Sequence, residues 1–232
     1  MDVNNSSALS VRDASILLLI SVCISLALYH PYYFGDELFS FSFGMRHDAD
    51  FNATLVDLNS YKPRVLMNVL WAAIVAYEAP RWVPMLVNTV AITTCAFMVY
   101  LIGLRNFSAG RAASMLAAVV LLVSRFGVML YYDYVSGTVE TISLAFFLIG
   151  LHVSAGAVFR TEHVSLARLI TSVGCFILAI LVHERFVAGL AGAMGVCSLF
   201  WIRSSWTTRS VNKLIFPVLS VLLPLLCVVI LV

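Results

Sequence analysis

Long apolar runs separated by short polar clusters dominate the chain. The runs cover residues 14–29, 82–104, 112–132, 141–158, 168–182, 186–202 and 214–232. Runs of about 20 apolar residues predict helices that cross a hydrocarbon layer about 30 Å thick. The first run follows a polar stretch carrying Arg12 and Asp13. That flank is weakly basic and no small-x-small site follows the run, so it predicts a retained anchor rather than a cleaved signal peptide.

Residues 63–77 are also apolar, but 15 residues make only about 22 Å of helix. Charge decides how this segment lies. If it does not cross, Arg105, Arg111, Arg160, Arg168, Arg203, Arg209 and Lys213 fall inside with only Glu162 among them. If it crosses, all seven bases fall outside, against the positive-inside rule. The segment therefore predicts a juxtamembrane helix. The expected architecture is an all-α polytopic membrane protein, a single membrane domain of about seven transmembrane helices plus that outer helix. Residues 1–13 form a cytoplasmic tail, 14–29 the first span, 30–81 a long outer loop containing helix 63–77, and 82–232 six further spans.

Composition fixes the medium. The chain is 62% hydrophobic and 11% charged, with mean hydropathy +0.99. Soluble domains run near 45–50% apolar and 25% charged. A net charge of +2 offers no basic field for nucleic acid. Cys23, Cys95, Cys175, Cys197 and Cys227 all sit in apolar runs and read as small packed hydrophobes. The stretch "HERFV" lacks the second histidine of a zinc helix, and neither a Walker A loop nor G-x-S-x-G occurs. Sequons at Asn4, Asn5, Asn52 and Asn106 matter only in a secretory pathway.

The acids concentrate on the expected outer side. Asp36 and Glu37 stand together in "FGDELFSF", Asp133 and Glu140 flank the start of the fourth span, and Glu184 lies between His183 and Arg185. A carboxylate at a membrane boundary can serve as a general base, and titratable residues near hydrocarbon carry a functional expectation. The plainer readings are helix caps and solvated turns. Lys62 and Arg64 bracket Pro63 and suit an anionic headgroup or pyrophosphate, or simple snorkelling. Arg125, inside the third span, reads the same two ways. The tyrosines near the outer boundary form an aromatic belt.

Four segments in order resemble the GT-C superfamily of membrane glycosyltransferases, which use polyprenyl-phosphate sugars. The likeness is to the branches holding protein O-mannosyltransferases and lipid A aminoarabinose transferases. "FGDELFSF" resembles the Asp-Glu motif after the first span, and "YKPRVLMNVLW" the motif opening the juxtamembrane helix. Glu140 in "YVSGTVETISLAFFLIGL" resembles the second acid, and "LVHERFVAG" the polar break between spans five and six. The resemblance implies an inverting transfer of a sugar from the lipid-linked donor to a lipid, glycan or protein acceptor at the outer or lumenal face. Asp36 would be the general base and Glu140 the second acid. Lys62, Arg64 and Arg185 would hold the donor phosphate. Glu37, Asp133, His183 and Glu184 would form the acceptor or metal neighbourhood. Asp36, Glu37 and Glu140 would favour Mg²⁺ or Mn²⁺ if a divalent cation is used; otherwise no cofactor is implied. The plasma or inner membrane is implied, or the endoplasmic reticulum in a eukaryote.

This chain departs from the family in two ways. The family's enzymes are usually longer, and this sequence corresponds to their shared seven-span module. "His-Glu-Arg" differs from the Thr-Lys-Gly-like turn of the aminoarabinose branch. Two other readings stay open: a transporter or permease fragment, and a non-catalytic assembly subunit working with a partner.

Overall fold

The computed structural model describes residues 3–31, 42–61, 64–159, 166–183, 185–189, 192 and 222–224, with 3–10 and 157–159 as backbone only. Every regular element among the described residues is helical, so the all-α expectation holds. The helices are α1 (Val3–Ala27), α2 (42–46), α3 (Phe51–Tyr61), α4 (Val65–Ala76), α5 (Trp82–Leu101), α6 (Arg111–Val123), α7 (Arg125–Tyr132), α8 (Tyr134–Phe159) and α9 (Leu166–Val182). A π-helical turn, Ile102–Asn106, continues α5.

Two of these helical stretches are long and apolar enough to cross a membrane, Trp82–Asn106 and Tyr134–Gly156. The pair α6 and α7 makes a third if counted as one span. This gives the described part membrane-protein character, and it is a smaller count than the seven spans expected. The expected spans 186–202 and 214–232 lie almost wholly outside the described residues. The expected juxtamembrane helix is present as α4, an apolar helix of 12 residues.

Polar side chains explain where the helices depart from the apolar runs. The single run 112–132 is broken at Ser124, and the two pieces meet at 49°. Ser124 is extended, and its hydroxyl accepts from the Gly127 amide at 3.1 Å. It also donates to the Leu121 carbonyl at 3.0 Å, so one side chain closes one helix and caps the next. The Asp133 side chain caps α8. Its Oδ1 accepts from the amides of Val135 (3.1 Å) and Ser136 (3.0 Å), which starts α8 at Tyr134 rather than at Thr141.

The chain divides into two compact units, Met1–Phe97 with Met115–Ile142, and Met98–Ser114 with Ser143–Val232. In the first unit α1 buries Asp13, Leu17, Ser21 and Ser25, every fourth residue along one face. Asp13, expected in the N-terminal tail, therefore lies inside a helix and fully buried. Ser25 and Thr89 share a hydrogen bond of 2.6 Å. Polar pairs of this kind, with small residues, hold helices together where lipid removes the hydrophobic drive between them. The α3–α4 pair is tied by Asn68 Nδ2 donating to Asn59 Oδ1 at 2.8 Å. Gly44 of α2 sits against it so closely that a Cβ there would lie 1.8 Å from Val75 Cγ1.

In the second unit the π-helical turn is locked by a two-way contact. Asn106 Nδ2 donates to the His152 carbonyl at 3.1 Å, and His152 Nδ1 lies 2.7 Å from Asn106 Oδ1. Phe176 of α9 packs over Gly150 of α8 and against Phe147, and the hydroxyls of Ser154 and Ser172 meet at 2.6 Å.

Candidate functional site

Three helix junctions of the first unit converge on one cluster. His30 follows the end of α1, Arg81 precedes α5, and Tyr132 and Tyr134 flank the Asp133 cap between α7 and α8. His30 Nε2 lies 3.0 Å from the Tyr132 carbonyl and 3.3 Å from Arg81 Nη2. The Arg81 guanidinium carbon sits 4.8 Å above the Tyr134 ring. The His30 ring stacks on Tyr134 at 5.6 Å and 3°, and leans on Tyr132 at 4.8 Å.

Arg81 is only 5% exposed. A guanidinium tolerates this better than an ammonium because it is weakly hydrated and stacks on aromatic faces, and a desolvated cation–π contact contributes about 2 kcal/mol. A single Nε2 cannot donate to a carbonyl and accept from a guanidinium in the same tautomer. The shorter contact assigns the proton to Nε2, donated to the Tyr132 carbonyl. Arg81 Nη2 is then a close neighbour of His30 rather than its donor. The cluster presents a cation and an imidazole held on tyrosine faces, chemistry suited to an anion carried on a larger group.

The residues singled out in the sequence fare unequally. Asp36, Glu37, Lys62 and Glu184 lie outside the described residues. Asp133 is the α8 cap, its Oδ1 engaged by two amides. Glu140 is half-buried in the second turn of α8. It lies seven residues after Asp133, about 10 Å along the helix and on the same face. Arg64 is the residue before α4, half-buried, and its carbonyl accepts from the Asn68 amide at 2.8 Å. His183 and Arg185 belong to the second unit. His183 is buried edge-on to Phe186, and its carbonyl accepts from the Phe186 amide at 3.2 Å. The structure thus brings Asp133 and Glu140 onto one helix in the first unit, with the His30–Arg81 cluster at that helix's start.

Among the described residues no group of three or more His, Cys, Asp or Glu side chains could hold a metal ion. Of the set Asp36, Glu37 and Glu140, only Glu140 has a described position.

His30 and Arg81 were not among the residues picked out in the sequence. A signal was available: they are the first and last residues of the long 30–81 segment, each set at the edge of an apolar run and beside a proline. The Asn106 sequon is answered by the fold, because that side chain is 6% exposed and engaged with His152. Asn52 is exposed on α3. Comparison with protein-family models, with curated proteins and with solved structures finds no match to this chain.

Proposed function

We propose that the chain is a membrane glycosyltransferase module that transfers a sugar from a polyprenyl-phosphate donor, with inversion, at the outer or lumenal face of a seven-span domain. The observation that carries this reading is the buried Arg81 on Tyr134 beside His30, in the same unit that carries Glu140. A guanidinium there can hold the donor phosphate and stabilise the charge that develops as the lipid phosphate leaves. Asp36, six residues after His30 in sequence, is the general base of this reading, and Glu140 the second acid that holds the acceptor. Lys62, Arg64 and Arg185 are auxiliary cations for the phosphate, and Glu37, Asp133, His183 and Glu184 the surrounding polar groups. A divalent cation, if used, would draw on Asp36, Glu37 and Glu140. Equilibrium binding of a polyprenyl phosphate to the purified protein in detergent tests the reading. Saturable binding is expected, and its absence contradicts the assignment.

One observation favours a second reading, a transporter or permease fragment. Asp13 is fully buried inside α1, and buried carboxylates in membrane helices mark ion or proton routes in carriers. Flux across proteoliposomes that is lost in Asp13→Asn and kept in Asp36→Asn would favour it.

A further inference from the structure

The second unit, Met98–Ser114 with Ser143–Val232, gathers arginines at one end. Arg105 lies in the π-helical turn that continues α5, Arg111 is the first residue of α6, and Arg168 is in the first turn of α9. Contacts within the unit bring these turns to one end. The Asn106 side chain is bonded both ways to His152 of α8. A Cβ on Gly103 would lie 2.8 Å from Ser114 Oγ, so the first turn of α6 packs on the turn that holds Arg105. Helices α8 and α9 run antiparallel, with Phe176 against Gly150 and Ser172 meeting Ser154 at 2.6 Å. Arg168 stands one helical turn before Ser172, toward the end of α8 that lies beyond His152.

The charge at this end has one sign. The described residues of the unit contain no Asp or Glu. Between α8 and α9 the sequence adds Arg160 and Glu162, which cancel. Arg105 and Arg111 are exposed and Arg168 is half-buried. Phe107 and Leu166, each two residues from one of these arginines, are exposed as well. At the edge of a hydrocarbon layer such apolar side chains enter the acyl region, while guanidinium forks reach phosphate oxygens. Basic clusters beside membrane helices also attract anionic lipids over about a Debye length. We propose that this end binds the headgroups of anionic phospholipids, with Arg105, Arg111 and Arg168 on the phosphodiester oxygens and Phe107 and Leu166 among the acyl chains. It is the end expected to face the cytoplasm, and the inference does not depend on the glycosyltransferase reading.

The test titrates the full chain, in a neutral detergent, with short-chain phosphatidylglycerol, phosphatidylcholine or inorganic phosphate, and reads bound ligand by native mass spectrometry. Wild type should bind phosphatidylglycerol more tightly than phosphatidylcholine. Each of Arg105→Gln, Arg111→Gln and Arg168→Gln should lower that affinity about fivefold, and the triple variant on the order of a hundredfold. The triple Arg→Lys variant keeps the charge and should stay near wild type. Arg46→Gln, an exposed arginine of the first unit, should change nothing. Equal affinity for the two lipids, an undiminished affinity in the triple Gln variant, or an equal loss in Arg46→Gln overturns the proposal. Inorganic phosphate that binds as tightly as the lipid makes this a site for a soluble anion and overturns the lipid assignment. If the triple Gln variant does not fold, added salt applied to wild type decides. Affinity for phosphatidylglycerol must then fall as screening rises, and an affinity indifferent to salt overturns the site.

Discussion

His30 and Arg81, the two ends of the 30–81 segment, stand with Nε2 and Nη2 3.3 Å apart. The two ends of the segment therefore meet, and the point where they meet carries a buried cation.

Replacing Arg81 should weaken binding of a polyprenyl phosphate. A hydrogen bond to a charged group contributes about 1.5–3 kcal/mol, so Arg81→Ala is expected to lose roughly tenfold to a hundredfold in affinity. Arg81→Lys keeps the charge without the planar fork and should fall between. Titration of each variant with polyprenyl phosphate, beside a thermal denaturation that monitors folding, checks this. Equal affinity in all three would remove Arg81 from the site.

Asn88 fastens the break between α7 and α8. Its amide donates to the Leu130 carbonyl, left open where α7 ends, and its oxygen accepts from Thr141 Oγ1 at 2.9 Å. Asn88→Leu conserves shape but strands that carbonyl, at a cost of about 1–3 kcal/mol. A lowered denaturation midpoint in Asn88→Leu is the expected result. Gly137→Ala should be worse tolerated, since its Cβ would lie 2.0 Å from the same carbonyl.

Much of this arrangement is readable from the chain because the apolar runs that are described fold as helices. Helix α4 falls within the predicted 63–77, and α5 starts at Trp82 as expected. The misplacements come from single polar side chains. Ser124 and Asp133 each supply one capping oxygen, which hydropathy averages away, and these oxygens split one run and lengthen another. Asp13 looked like part of a polar tail, but it lies on the four-residue stripe with Leu17, Ser21 and Ser25 and is buried with them. The position of His30 and Arg81 at the run edges beside prolines is a local signal, but their contact depends on where a long segment returns, which that signal does not encode.

Glu78 ends α4 in a left-handed conformation, φ 45°. Its amide reaches the Val75 carbonyl and that of Ala79 reaches Ile74, at 3.1 and 2.9 Å, the bonding of a Schellman end that glycine favours. A non-glycine residue there costs about 1–2 kcal/mol. Glu78→Gly should therefore raise the denaturation midpoint, even though it removes one of the acids of the 30–81 segment.

Asn106 should not carry a glycan. Its amide is committed to His152 on both sides, so expression in glycosylating microsomes should give the same electrophoretic mobility for wild type and Asn106→Gln. The same variant should denature at a lower temperature, because the π-helical turn loses its lock.

Sugar transfer as proposed is tested by incubating the purified protein with polyprenyl-phosphate sugars and candidate acceptors, wild type beside Asp36→Asn at equal expression and fold. Wild type is expected to give a glycosylated product and Asp36→Asn none. Equal transfer by both proteins would contradict the assigned base, and a wild type that neither binds nor consumes any donor would contradict the glycosyltransferase reading itself.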